Sequence, residues 1–485
     1  MTLTQGIINW AIVVGLIASG AISFDDIMSG AYDPTAGDTG TSESGTSESG
    51  TAESDSPDYD GYAFNIADLT TDDANGWLVE LNGEVMNDTL VERRRWVEER
   101  HNITIDTLVT TSGGLSNAIL AGEDIYDLVD LNVSDFVPLA ADNMFIDVNK
   151  VDGFDFTQPH WDSRLMDSLR YGEKNYFVAG AANLSTYEAT HILVYNKRLA
   201  EEQGVGDLAA LVNSGEWTID KFGEISRDAF GDVNGNSVID REDSLGYIAY
   251  ESDMLTGFMA GADVKLIGMA WSMDYAVPTF GLQNNIRFGL LIDRLTSTDI
   301  ELSRLCVPAM EALGDRIIPH ELFAVGNALF CDASVGDLPS LGGVDFELGI
   351  APYPKLEADQ TDEYYRVRVE DSAVTALPIT SSDLERTAVI AEAMQSASYE
   401  AVLPVLYAIS VRGDAESIEM LEFAFAHRGF DLGDAAWGDV VRDRIAECLM
   451  HGNGYSAYDA PTLSELAARY KDEIDKLCAD CAIYW

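Results

Sequence analysis

The chain is poor in basic residues, in cysteine and in recognisable catalytic motifs, and each shortage removes a class of function. Only 29 Lys and Arg stand against 83 Asp and Glu, a net charge of -54. The electrostatic term therefore opposes binding to nucleic acid or to anionic lipid. A strongly solvated acidic surface, suited to an exposed or salty environment, is the direct reading of that balance. The five cysteines, Cys306, Cys331, Cys448, Cys478 and Cys481, are too few and odd in number for a disulfide framework. Cys478 and Cys481 make one CxxC, with no second pair at zinc-ribbon spacing and no following βαβ pattern. His320-Glu321 lacks the second His of a zinc-protease helix, and neither a Gly-x-Ser-x-Gly elbow nor a phosphate-binding Gly-rich loop occurs. With so many carboxylates, a glycosidase pair is neither supported nor excluded by counting.

What is present is enough chain for two to four domains: 485 residues, 47% hydrophobic and 23% charged, the balance of a globular protein. One long apolar run lies at an end, residues 6–23, between a signal-peptide core and a marginal membrane span in length. It has no Lys or Arg before it and no Cys after it, and it reads as an export or anchor segment. From Ala31 to Asp60 the repeats Gly-Thr-Ser-Glu-Ser and Gly-Thr-Ala-Glu-Ser cannot bury enough apolar surface to offset their ordering, so an extended tether is expected. A domain held away from a membrane follows.

Tyr62, Phe64 and Ile66 alternate as in a strand; Met86, Leu90 and Val97 recur at helical spacing; Ile103–Leu108 and Tyr126–Leu131 supply further strands. Such alternation predicts a largely parallel sheet covered on both faces. The stretch Asn175–Lys197 holds two short strand-like runs, 176–179 and 192–195, around small and hydroxylated residues. It reads as a crossing between two α/β lobes, with a return in Gly349–Thr380. Thr218 is the expected N-cap of a helix to about Ala229, Ser382-Asp-Leu-Glu385 a capping box, and Thr462-Leu-Ser-Glu465 the cap of a last helix. The expected organisation is a hydrophobic leader or anchor at 1–24, a disordered tether at 25–59, a first lobe from 60–180 with 352–405, and a second from 181–351 with 406–485.

Two constellations carry chemistry. Asp232, Asn234, Asn236, Asp240 and Asp243 occupy positions 1, 3, 5, 9 and 12 of an EF-hand-like loop, with the carbonyl of Val238 at position 7. A structural Ca²⁺ is expected there. Ser237 at the usual Gly position and the short Asp243 leave a solvated acidic turn as the alternative. The other constellation is aromatic: Trp77, Trp161, Tyr187, Tyr250, Phe258, Trp271 and Tyr353 fall near predicted loops, where a ring can stack on a sugar face. Trp77, Tyr187 and Phe258 are the favoured ones. Asn132 and Ser134, just past the third strand, are polar candidates, since ligands of open α/β sheets sit beyond the carboxyl ends of strands.

Several motifs recur in one order: Asn82-Gly-Glu-Val-Met-Asn-Asp88 with Glu92-Arg93, Tyr126-Asp-Leu-Val129, Pro159-His-Trp-Asp162, Leu193-Val-Tyr-Asn-Lys197, Gly215-Glu-Trp-Thr218 and Gly349-Ile-Ala-Pro-Tyr-Pro-Lys355. In them the chain, from about residue 60 to 485, resembles the extracellular solute-binding proteins of bacterial ABC importers, in the carbohydrate-binding group similar to maltose-binding protein. The resemblance implies an α/β, two-lobe periplasmic-binding-protein-like fold with hinge crossings and a helical C-terminal region. It further implies a monomeric, non-enzymatic protein at the cell surface that captures an oligosaccharide and hands it to an ABC permease. By the same resemblance, Asp130–Asp135 matches a first-lobe sugar-binding loop, and Tyr250–Phe258, which includes Asp253, a second-lobe one. A secreted polysaccharide-active enzyme and a calcium-dependent surface scaffold are the competing readings.

Overall fold

A computed structural model of the chain describes residues 24–28, 56–70, 73–170, 173–233, 235–236, 242–271, 276–281, 285–295, 318–411, 414–438 and 442. Two sheets organise them. The first has the order β11-β3-β1-β2, built from β1 (Tyr62–Asp68), β2 (Ile103–Val109), β3 (Leu128–Asn132) and β11 (Ala373–Ala376). β1 is parallel to both β2 and β3, and β11 runs antiparallel to β3. The second has the order β5-β8-β4-β9, from β4 (His191–Asn196), β5 (Leu245–Ile248), β8 (Ala328–Ser334) and β9 (Leu348–Ala351). Only its β5–β8 pair is parallel. A hairpin joins β6 (Ile267–Trp271) to β7 (Ala276–Phe280), and β10 (Val367–Arg368) pairs with β12 (Arg428–Gly429).

Each sheet has its own core. Phe64, Val129, Phe136, Phe177 and Met394 are buried around the first; Phe222, Tyr247, Phe258, Phe330 and Tyr353 around the second. β3, β4 and β8 are buried on two faces, the pattern that covering helices impose, while the edge strand β2 alternates buried and exposed residues. The helices form where the periodicity predicts. Phe288, Leu291 and Leu295 are all buried on Ile286–Leu295, and Ile418, Leu421 and Phe425 on Ala415–Ala426. Thr218 accepts the Lys221 N–H as N-cap. In the expected capping box at 382–385 the cap is instead Asp383, whose carboxylate takes the Arg386 N–H and also pairs with its guanidinium.

Among the described residues the chain passes between the cores repeatedly. Outward, 176–179 is not a strand: its backbone is tied by single bridges, Val178 to Thr375 of β11 and, next along, Gly180 to Trp161, so no continuous ladder runs along it. Phe177, Val178, Ala179, Asn183 and Thr186 are fully buried there. On the return, Tyr353, Leu356, Tyr365 and Val367 still pack in the second core, and the chain enters the first only at Val369. The return thus lies later than the residue 352 expected, because the Pro352-Tyr353-Pro354 segment is roofed by the helix Glu251–Gly261. A third passage leads out again from Ala401 in the first core to Val402 in the second, and a fourth returns from Phe425 to Phe430 and Leu432 in the first. Thr190 and Val369 bridge the first two passages side by side.

Two other departures lie at the N-terminal side. Phe24–Met28 is a helix, with Phe24 and Ile27 buried, rather than the junction of leader and tether. Residues 56–59 belong to the fold, the Tyr59 N–H bonding the His101 carbonyl at 2.9 Å. Residues 1–23 and 29–55 lie outside the described residues, as do the Thr462–Glu465 cap and every cysteine but Cys331, a buried free thiol. Among the described residues no helix is long and apolar enough to cross a membrane.

Candidate functional site

The strand ends of both sheets converge on the paired passages, 188–190 and 368–373. On the first sheet, Asp68 ends β1 and accepts the Thr70 N–H and hydroxyl at 2.8 and 2.6 Å. Asp130, in β3, is held by Thr375 Oγ1 at 2.5 Å and Asn75 Nδ2 at 2.9 Å, and Asn183 Nδ2 donates to the same Thr375 hydroxyl. Burial pushes the Asp130 carboxyl up to about 6, against the pull of those two bonds. Beyond the strand, Ser134 donates both its N–H and its hydroxyl to Asp371, at 3.0 and 2.5 Å. Partial desolvation by the surrounding chain raises the Asp371 carboxyl above its usual range although the residue keeps an exposed edge, with the Ser134 bonds opposing.

The next residue back, Glu370, belongs to a network on the second sheet's side. Arg368, fully buried, donates Nη2 to Glu370 at 2.9 Å, Nη1 to Asp253 at 2.9 Å, and Nε and Nη2 to Asp434 at 2.6 and 3.3 Å. His191 bonds Asp332 through Nδ1 at 3.1 Å and Glu370 through Nε2 at 3.0 Å. Tyr353 donates to Asp332 at 2.6 Å, and its oxygen lies 2.9 Å from the Tyr247 hydroxyl. Burial and the neighbouring Arg368 push His191 down, but Asp332 and Glu370 outweigh both and bring it up to about 10. Both ring nitrogens therefore donate. For Glu370, burial is overcome by His191, Arg368 and Arg442, which hold it well below the carboxylate range. Burial raises Asp253, with Arg368 the main opposing charge.

His191, Asp253 and Glu370 place donor atoms within 4.8 Å of one another, close enough for a metal ion. The Arg368 guanidinium donates to both carboxylates at 2.9 Å, and its Nη1 lies 3.1 Å from His191 Nε2, two donors facing each other beside the carboxylates that bind them both. The cluster's cation is thus supplied by the chain itself. A water-sized pocket opens beside it, lined by Thr256, Arg366, Arg368, Asp431 and Asp434.

The helix Glu251–Gly261 brings the exposed elements of this side. Tyr250, at its N-cap, is 45% exposed, and Asp253 follows in the first turn. The helix lies flush on the segment below because Gly257 has no side chain. A Cβ there would sit 2.3 Å from Cζ of Tyr353, and one on Gly261 2.3 Å from the Pro354 carbonyl oxygen. A separate cavity of about 390 Å³, lined by Lys197, Leu338, Phe346, Ile350, Val411 and Asp414 among others, lies at the opposite end of β4.

Of the residues expected from the sequence, Asn132, Ser134, Tyr250 and Asp253 stand at these strand ends. Three favoured aromatics do not face a cleft. Trp77 is 3% exposed and carries the Arg93 guanidinium 3.7 Å from its ring centre. Tyr187 is buried under Arg428 at 3.6 Å, with Phe425 edge-on at 4.9 Å. Phe258 is fully buried among Phe222, Tyr247 and Tyr353. Trp161 and Tyr353 are core residues as well. Trp271 ends β6, and its side chain lies outside the described residues. In the acidic loop, Asp232 accepts the Gly235 N–H at 2.7 Å, and buried Asp243 accepts the Val233 N–H at 3.0 Å. Asn236 is exposed, and Asn234, Val238 and Asp240 lie outside the described residues. Sequence reading missed His191, Arg368, Glu370 and Asp371. The one available signal was Arg366-Val-Arg-Val-Glu-Asp371, charges alternating with valines in a segment already read as a crossing.

No family model matches the chain. No curated protein matches it. Solved structures do. A sugar transporter from Rhizobium etli in an open conformation aligns over 85% of this chain and 99% of its own, with a TM-score of 0.56 at 12% identity. A cyclo/maltodextrin-binding protein complexed with maltotetraose aligns over 85% and 97%, TM-score 0.54, 14% identity. The galacto-N-biose/lacto-N-biose I-binding protein of the ABC transporter from Bifidobacterium longum, in complex with lacto-N-biose, aligns over 88% and 98%, TM-score 0.53, 13% identity. The chain therefore has the two-lobe α/β fold of periplasmic binding proteins, as its motifs implied.

Proposed function

We propose that this protein is an extracellular solute-binding protein that captures a small polar solute, an oligosaccharide, for uptake by an ABC transporter. The observation that carries the reading is the meeting of both sheets' strand ends over paired passages, lined by Ser134, Asp371, Glu370, Asp253 and Tyr250. Carboxylates and hydroxyls are the groups that bond sugar hydroxyls, and an exposed ring offers a stacking face. The neighbours that share the fold are described with maltotetraose and lacto-N-biose bound, which supports the same ligand class. The solute enters an opened form and stabilises a closed one through contacts with both halves. The role requires no catalysis. Export, cell-surface tethering and delivery to a membrane permease complete the proposal.

Thermal-shift screening against sugars, amino acids, peptides and metals tests it, because a ligand raises the stability of the form it binds. An oligosaccharide hit, confirmed by calorimetry and unchanged on recovery, is the expected result. Hydrolysis of the hit, or shifts from every class except sugars, overturns it. We propose in addition that the 232–243 loop holds a structural Ca²⁺. The oxygen-rich donor set and the burial of the Asp243 carboxylate fit a hard cation, which would staple the end of the helix Ile219–Asp228 to β5.

A further inference from the structure

The cavity of about 390 Å³ stands apart from the strand ends that meet over the passages. His191 begins β4 and Asn196 ends it beside the cavity, so the strand alone separates the two places by roughly 17 Å. The cavity's walls come from the short helix Leu338–Leu341, the end of the helix Leu403–Val411, and β9 with the loop before it. Leu338, Leu341 and Ile350 are buried members of the second core, and Phe346, Leu348 and Val411 pack against it. One half of the molecule therefore carries the whole site. Its volume falls within the roughly 300–1,000 Å³ of small-molecule sites. Apolar walls around open space forgo contacts that a fitting apolar group restores.

Lys197, Glu347 and Asp414 add charge to these walls. Lys197 Nζ bonds Asp414 at 2.9 Å and Glu416 at 3.2 Å. Burial works against its ammonium, but the two carboxylates outweigh it and raise the lysine above its ordinary value. Asp414 takes both Lys197 and the Ser417 N–H through one oxygen, Oδ2, at 2.9 and 3.0 Å. A carboxylate accepts about four such bonds, so Asp414 has room for a further donor. The exposed Glu347 carboxylate makes no hydrogen bond or ion pair among the described residues. Arg198, which does not line the cavity, lies 5.7 Å from the centre of the Phe346 ring. Two cations thus stand against the carboxylates of Glu347, Asp414 and Glu416, in the field of a chain of net charge -54. We propose that the cavity is a second ligand site, which takes a small amphiphile made of an aliphatic or aromatic body and a primary ammonium head. The body fills the space between Leu338, Phe346 and Ile350, and the head bonds Asp414 and Glu347. An anionic head would meet those carboxylates and a lining ammonium that is already bonded twice. A sugar would leave most of its hydroxyls against apolar walls, which costs their hydrogen bonds to water. The site is separate from solute capture and does not rest on it.

The test titrates the full chain by calorimetry, at neutral pH and fixed ionic strength, with hexylamine, hexanoate, butylamine and methylamine. Hexylamine is expected to bind at least about tenfold more tightly than hexanoate, which has the same body and the opposite charge. Butylamine, two methylenes shorter, is expected to bind roughly tenfold more weakly than hexylamine. Methylamine, a head without a body, should give no binding heat. Val344→Trp, at the partly buried rim, fills the space and should weaken hexylamine at least about tenfold, with circular dichroism showing that the variant is folded. Should that variant not fold, nuclear Overhauser contacts in the methyl-labelled parent decide: hexylamine is expected to touch the methyl groups of Leu338 and Ile350. Equal binding of hexanoate and hexylamine, an equal response to methylamine, or the lack of contacts to those methyls overturns the proposal. Oligosaccharide binding by Val344→Trp is expected to match the parent's, and loss of both ligands in the folded variant also overturns a separate second site. A parent that binds hexylamine but no sugar leaves this site standing and removes solute capture alone.

Discussion

Asp371 receives two hydrogen bonds from Ser134, a residue 237 positions earlier in the chain, while its neighbour Glu370 is bound to Arg368 and His191 on the other side. Two consecutive carboxylates therefore report on opposite halves of the molecule. In the proposed function, a solute that bonds Asp371 competes with or joins the Ser134 contact at the place where the halves meet.

Ser134→Ala and Asp371→Ala are expected to weaken binding of the sugar hit at least tenfold by calorimetry, about 1.4 kcal/mol. The pair lies at an exposed edge and is worth at most about 1 kcal/mol to folding. The melting temperature of the free protein should hence move by less than about 2 °C. A large drop, with affinity intact, marks the pair as purely structural.

Trp77 and Tyr250 should behave oppositely. Trp77→Ala removes a buried ring and the partner of a buried guanidinium, a loss of about 3–5 kcal/mol by urea unfolding. Tyr250→Ala touches an exposed side chain and should leave stability within about 0.5 kcal/mol. Its sugar affinity should fall about tenfold through the lost stacking face. The reverse pattern would return Trp77 to the binding surface.

The His191 network sets a pH window. Its folded value, about 10, lies above the 6.5 of the free imidazole, so folding favours the protonated ring. That contribution is fully present below about pH 6.5 and is lost as pH rises towards 10. Glu370 is shifted the opposite way, and its contribution is lost only in strong acid. Urea midpoints should decline between pH 7 and 10, and His191→Gln should flatten that decline. Equal slopes for the two proteins would dismiss the protonated ring.

Calcium removal is the remaining test. Addition of EGTA should lower the melting temperature by several degrees, and Asp243→Asn should abolish the difference. No effect of chelator on either protein leaves the loop a solvated turn.

Much of the scaffold was legible because period and capping act locally. The parallel β1–β3 pattern, the Thr218 cap and the buried stripes at 288–295 and 418–425 all followed from neighbours in sequence. The site was less so. Arg93 reads as one charge in a solvated helix, yet it is fully buried on Trp77, which itself belongs to the first core rather than to a cleft. Arg368 and His191 lie 177 positions apart, and no local pattern says that they share one set of carboxylates. Ser134 and Asp253 were found because strand ends and the family resemblance, rather than composition, pointed at them.

The contact of Gly257 with Tyr353 gives a handle on reach. An alanine at 257 would have to lift the whole helix off the tyrosine ring, and Tyr250 and Asp253 would ride with it. In the proposed function, a single missing methyl would thus set how far this helix stands from the first half, a natural dial for retuning which solutes fit.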